Sequence, residues 1–269
     1  MEFNENIRKS TKRIVLLGGL LVLGLAIIWF TFTPAGLDGK LWALGYAVCH
    51  QNIDHTLVIG GRLLPLCSRC TGMYLGALAA MAFLVRRGKT GAFPMGGKKW
   101  VLVGLGLFFA VDGINSTLVS FLGWNGLYPP SNLLRLISGL GMGVVIANLL
   151  IPLWNQTIWT EWIDEPVLNS WVQFLVLLLV EAVLAVLILS GWNWLYFPLA
   201  LLSTGTIPIL LCMVYTLLWI LLLKKENSCR TWKECVLYLV LGCLTAVAQI
   251  GLLDLLRFSL THSWQGFQF

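Results

Sequence analysis

Cys49-His50 followed by Cys67-Ser68-Arg69-Cys70 places three thiols and an imidazole within 22 residues, immediately before an apolar stretch long enough to enter a bilayer. Soft, ionisable side chains are costly at a membrane boundary unless they bind something or react with something. Two chemistries suit this set. Three thiolates and one imidazole are a familiar complement for a tetrahedral transition metal such as zinc, and Cys-x-x-Cys supplies two ligands from one turn. Cys49 and His50 are adjacent, so both reach one ion only through a tight backbone, and His55 is an alternative fourth ligand. The same thiols also suit thiol–disulfide exchange, with Cys67 and Cys70 as the reacting pair and Cys49 as a shuttle or resolving thiol.

A third chemistry uses the charged residues nearby. Arg62, Arg69 and Arg135 could clamp an anionic headgroup beside Asp112 acting as a base. Lipid phosphotransferases that work with two metals need several spaced aspartates, however, and Asp112 stands alone on its helix. The expected site therefore has Cys49, His50, Cys67 and Cys70 as metal ligands, for zinc or another transition metal, with Asp112 and Arg135 as catalytic candidates. Expected partners are the lipid bilayer, the metal ion, and an anionic or thiol substrate on the outer face. Metal binding is the leading function and membrane thiol–disulfide oxidoreduction the alternative; catalysis itself is left open.

The elements that must position these residues follow from hydropathy. The chain has 269 residues, is 58% hydrophobic and only 11% charged, with a mean hydropathy of +0.83. A soluble domain of this size needs far more charge to cover its surface, so the class is an integral membrane protein. Apolar runs of spanning length fall at about 14–34, 66–85, 100–122, 133–153, 171–191, 195–223 and 236–260. The expected fold is an all-α, polytopic bundle of about seven helices. Pro198 and Pro208 are expected to kink the long sixth run or to make its start interfacial. The run Leu41 to Val48 is too short to span and reads as re-entrant or interfacial.

Charge sets the orientation. Thirteen of the 18 Lys and Arg lie in three stretches: Arg8, Lys9, Lys12 and Arg13; Arg86, Arg87, Lys89, Lys98 and Lys99; and Lys224, Lys225, Arg230 and Lys233. The positive-inside rule puts all three in the cytoplasm, and with them the N-terminus. Residues 155–170 share that side by parity, although they hold Glu161, Asp164 and Glu165 and no Lys or Arg. The net charge of +6 is thereby explained as anchoring, with no nucleic-acid partner. The first apolar run is longer than a signal-peptide core and reads as a retained anchor. Trp100, Trp124, Trp154, Trp171, Trp192 and Trp194 lie near run ends, as an aromatic belt requires.

With this topology residues 36–65 form an outer loop, and Cys67 and Cys70 occupy the first turn of the second spanning helix. Cys67, Cys70, Thr71 and Tyr74 share one helix face. A helix N-terminus favours the thiolate through its dipole and free N–H groups. Asp112 and Asn115 lie toward the outer end of the third helix, and Pro129-Pro130-Ser131-Asn132 caps the fourth, with Arg135 one turn inside. Asp112 is then the nearest counter-ion for Arg135. Gly72 with Gly76, and Gly139 with Gly143, are small-xxx-small pairs suited to close helix packing. In the second half Glu181 reads as a lone buried carboxyl, and Asp254 and Arg257 as an i, i+3 pair. Cys212, Cys229, Cys235 and Cys243 lack ligand spacing and read as small hydrophobes. Two parts are expected, a membrane domain over 1–155 carrying the motifs and a membrane extension over 156–269.

Taken together, Cys49-His50-Gln51, Gly61-Arg62, Leu64-Pro65-Leu66-Cys67-Ser68-Arg69-Cys70-Thr71-Gly72-Met73-Tyr74-Leu75-Gly76, Asp112-Gly113, Ser131-Asn132-Leu133-Leu134-Arg135 and Gly139 resemble a known family. It is the prokaryotic membrane family labelled domain of unknown function 2085, and the resemblance covers roughly residues 45–145. It implies a multi-pass protein of a bacterial or archaeal cell membrane. It also implies a Gln or similar residue near the aspartate block, where this chain has Asn115.

Overall fold

A bilayer offers backbone N–H and C=O groups no partner, so each apolar run must close its own hydrogen bonds as a helix. The computed structural model describes residues 2–266 and has this form. Its α-helices are α1 (Glu2–Phe32), α2 (Gly36–Tyr46), α3 (Ser68–Leu84), α4 (Gly97–Leu122), α5 (Asn132–Ile158), α6 (Trp171–Leu189), α7 (Tyr196–Leu222) and α8 (Trp232–Thr261). Two small strand pairs join them: β1 (Val58–Ile59) antiparallel to β2 (Arg62–Leu63), and β3 (Thr90–Ala92) parallel to β4 (Ile163–Pro166). Every helix but α2 is long and apolar enough to cross a membrane, which makes seven spans among the described residues. They coincide with the seven apolar runs of the sequence.

The short run from Leu41 lies in α2, which packs on α7 and α8 with Leu41, Ala43 and Tyr46 buried. The long sixth run divides into a 3-10 turn at Asn193–Leu195 and α7. Pro198 falls in the first turn of α7, where its missing N–H has no intrahelical partner to lose, and Pro208 lies within the helix.

Alternating spans give the bundle two ends. The α3–α4, α5–α6 and α7–α8 connections share one of them, with most of the basic residues; the side chains of Arg8 and Lys9 lie outside the described residues. The acidic 155–170 segment is tied into this end. Arg87 pairs with Glu165 at 3.4 Å, Lys98 Nζ donates to Asn169 O at 2.9 Å, and β3 pairs with β4. Glu165 thus has a local cation, and the acidic segment is held at the basic end. The opposite end holds α2, residues 47–67, and the α4–α5 and α6–α7 connections.

Helices α3 and α5 make the closest contact. A Cβ on Gly72 would strike Leu136 O, one on Gly139 would strike Arg69 O, and one on Gly143 would strike Met73 O and Ala77 N. The glycine pairs therefore serve packing, bringing the backbones together where van der Waals contact replaces the absent hydrophobic drive. Glu181 of α6 lies buried beside Gly76, and neither of its carboxyl oxygens has a hydrogen-bond partner among the described residues.

Candidate functional site

Cys49 leaves α2 through a helical turn, its N–H donating to Gly45 O at 2.8 Å. Two residues on, Gln51 adopts a left-handed backbone (φ 53°), which turns its N–H back to Cys49 Sγ at 3.4 Å. The Gln51 side chain is buried and donates to Trp42 O at 2.9 Å and Pro65 O at 2.8 Å. It thus staples the end of α2 to the segment that delivers Cys67. Cys67 is the N-cap of α3, and its N–H also donates to Cys49 Sγ, at 3.3 Å. Cys70 follows within the first turn of α3. The three sulfurs lie within 4.8 Å of one another. Cys49 and Cys67 are 4% and 2% exposed, packed with Leu66, Ile207 of α7 and Ile250 of α8.

Three sulfurs this close cannot all carry charge without a cation between them. Hydrogen bonds from Cys49 and Cys70, and then from His50, hold the Cys67 thiol well below the usual thiol range. Cys49, bonded to that sulfur, is pushed up to about 12. Within the cluster Cys67 is thus the thiol on which charge is most favoured, supported by its neighbours and by the helix N-terminus.

The histidines sit at the edge of this cluster. His50 Nε2 is 3.1 Å from His55 Nδ1, so His50 bridges Cys67 and His55 rather than joining the compact trio. Burial lowers the His55 pKa to about 4, with the charges of Arg135 and His50 adding to the effect. His55 is therefore neutral at ordinary pH.

Asp112 is fully buried, and its carboxylate receives Arg69 Nε at 3.1 Å, Arg69 NH2 at 2.5 Å, Ser138 Oγ at 3.1 Å and Tyr128 OH at 3.1 Å. Arg69 NH2 also donates to Ser116 Oγ at 3.0 Å. The counter-ion of Asp112 is thus Arg69, where the sequence had pointed to Arg135. Arg135 instead donates to Asn132 Oδ1 at 3.0 Å, three residues back on its own helix, and Asn132 Nδ2 donates to Asp54 O at 3.0 Å. These contacts tie the start of α5 to the 52–56 turn that carries His55. Asn115 accepts from Leu127 N at 2.7 Å and donates to Tyr128 O at 3.0 Å, which holds the α4–α5 connection.

Arg257 of α8 binds the backbone that carries Cys49, a role that its position three residues after Asp254 does not reveal. Its NH1 donates to Tyr46 O at 2.7 Å and Cys49 O at 2.5 Å, and its NH2 to His50 O at 3.2 Å. Its guanidinium carbon also lies 3.9 Å from the centre of the Tyr46 ring. Asp254, one turn earlier, accepts from Trp29 Nε1 at 2.7 Å and joins α1 to α8. One signal could have revealed Arg257. The cations outside the three basic stretches are Lys40, Arg62, Arg69, Arg135 and Arg257. All of them lie toward the trio's end, and each makes a specific contact there.

The family profile described as "Predicted membrane protein (DUF2085)" matches residues 49–149, from the first cysteine of the trio through most of α5. An uncharacterized protein of Methanocaldococcus jannaschii is 27% identical over 121 residues, covering 45% of this chain and 72% of that protein. An uncharacterized protein of Methanothermobacter thermautotrophicus is 33% identical over 106 residues, covering 38% of this chain and 83% of that protein. No solved structure matches the chain significantly. A multi-pass membrane bundle, a cysteine trio where α2 meets α3, and archaeal relatives that share this region place the chain in the DUF2085 family of membrane proteins.

Proposed function

We propose that this protein binds a transition metal of the zinc type through Cys49, Cys67 and Cys70 at the extracytoplasmic face of the membrane. The observation that carries the reading is the convergence of three cysteine sulfurs, two of them on buried residues and the third on the half-buried Cys70, from two separate segments to within 4.8 Å of one another. The donor set fits such an ion, since thiolates favour zinc and other soft or borderline metals. Two backbone N–H groups already point at Cys49 Sγ, an arrangement that supports charge on sulfur. A tris-thiolate complex of a divalent ion carries one net negative charge, which Arg257 and Arg135 beside the trio offset. His50, bonded toward Cys67, is the candidate for the fourth position. A bound metal would supply Lewis acidity, structural cross-linking of the loop, or a holding point for metal being handed on.

In this reading Asp112 and Arg135 act by positioning, Asp112 by fixing Arg69 on α3 and Arg135 by fixing the turn that carries His55. The extracytoplasmic placement, with the N-terminus in the cytoplasm, rests on the basic stretches at the opposite end.

One observation favours a second reading. The lowered thiol of Cys67 is what a nucleophile of thiol–disulfide exchange needs. Its thiolate would attack a substrate disulfide and expel one substrate thiolate. Cys49 or Cys70 would then displace the second, leaving an internal disulfide for an external thiol to reduce. Elemental analysis with thiol counting on detergent-purified protein separates the two. Stoichiometric metal with all thiols reduced is the expected result; no metal and a reducible Cys67–Cys70 or Cys49–Cys67 bond overturns it in favour of exchange.

A further inference from the structure

The cysteines outside the trio also come together. Cys212 of α7 and Cys243 of α8 interact across the interface of their helices, well inside both spans. Close backbone approach puts them there, since a Cβ on Gly242 would lie 2.8 Å from Cys212 O and 2.7 Å from Thr216 N. Cys212 Sγ also donates to Leu239 O at 3.9 Å, one turn before Cys243 on α8. Cys229 and Cys235 form another neighbouring pair at the basic end. Cysteines far apart in the sequence are therefore brought together by helix packing.

We propose that the Cys212–Cys243 pair is a binding site, inside the membrane, for a soft monovalent metal ion of the Cu(I) or Ag(I) class. Thiolate sulfur selects soft ions, and the pair presents two sulfurs from opposite helices. The low dielectric of a bilayer penalises net charge, and one monovalent ion held by one thiolate and one thiol is neutral. Binding then forms two metal–sulfur bonds and breaks one S–H bond, releasing a single proton. A divalent ion on the same pair would need both thiolates for neutrality and further donors to fill a tetrahedral shell. Thr216 Oγ1 donates to Cys212 O at 2.7 Å and Thr245 Oγ1 to Leu241 O at 2.9 Å, each along its own helix.

The site is distinct from the trio. Ile207 and Ile250 wall the trio, and Cys212 and Cys243 lie five and seven residues further along the same helices. At a helical rise of 1.5 Å per residue the separation is about 8–10 Å. The proposal therefore holds whether the trio binds metal or exchanges disulfides.

Silver(I) titrated into the detergent-solubilised full chain, with uptake counted by native mass spectrometry, tests it. The C212A/C243A variant is expected to take up one Ag(I) fewer than the unaltered protein, and C49A/C67A/C70A to keep that ion. The ion should enter with release of one proton in the C49A/C67A/C70A variant. Should C212A/C243A fail to fold, Cys243→Ser keeps the volume and should lose the same ion. Uptake by either pair variant equal to that of the unaltered protein overturns the proposal. In protein first stripped of metal by a chelator, unchanged uptake by C49A/C67A/C70A, with a loss in the pair variant, overturns the trio's metal reading alone.

Discussion

In α3–α5 the polar side chains address one another across helices, with Arg69 of α3 joined to Asp112 and Ser116 of α4 and Asp112 joined to Ser138 of α5. In α7 and α8 most of the hydroxyls look inward, and Ser203, Thr204, Thr206, Thr216 and Thr245 donate to carbonyls three or four residues back on their own helix. Both arrangements satisfy groups that lipid cannot, but they differ in what they hold together. The first locks three helices at a set rotation and so fixes where the N-terminus of α3 presents Cys67 and Cys70. The second leaves helix contact to small residues such as Gly242, with Tyr215–Gln249 and Trp219–Thr245 as the cross-links. The family match covers the locked unit and ends before α6.

The sharpest way to break this comparison is at the trio. Cys49→Ser, Cys67→Ser and Cys70→Ser should each weaken metal binding by about a thousandfold, since losing one thiolate costs several kcal/mol of binding. Competition titration against a chelator reads this, and affinity unchanged in all three variants would remove the metal reading. The pH dependence has a definite sign. With its pKa near 12, the Cys49 thiol is protonated at neutral pH, so the metal must displace its proton. Affinity should therefore rise at least about tenfold per pH unit between about pH 6 and 8.

The next effect is on stability. Arg69→Ala leaves Asp112 buried without its cation and should cost about 3–5 kcal/mol, seen as a large drop in the thermal midpoint in detergent. Arg135→Ala should cost less, because Arg135 does not carry the Asp112 charge. An equal loss in the two variants would show that the charge is shared between them.

A smaller change separates positioning from ligation. Arg257→Ala should lower metal affinity by about 10–100-fold, as loss of an outer support does, while leaving one bound ion at saturation. Loss of the ion itself would make Arg257 essential to folding of the loop. The smallest effect belongs to Thr216→Val, which removes a hydroxyl bonded only along its own helix and should change stability by less than about 0.5 kcal/mol. A large loss there would mean that hydroxyls in α7 and α8 hold helices together, as those in α3–α5 do.

Much of this protein was legible from composition and local pattern. Insertion, the seven spans and the gathering of basic residues at one end depend on hydropathy and charge summed along short windows, and neighbours in space do not alter those sums. The meeting of the three cysteines was legible too, because Cys67 and Cys70 share a helical turn and a single connection leads to them from Cys49. Tertiary structure alone decided the rest. Arg69 rather than Arg135 meets Asp112 because the rotation of α3, set by its glycine contacts with α5, aims Arg69 at α4. His50 stands at the edge of the trio because the left-handed turn at Gln51 directs the Cys49 sulfur inward, leaving the imidazole to His55. Arg257 reaches the carbonyls of residues 46, 49 and 50, and Cys212 meets Cys243, across more than 200 residues in one case and a helix hairpin in the other. Such meetings depend on helix crossing and rotation, which follow from the packing of all the side chains at once and leave no spacing signal in the chain.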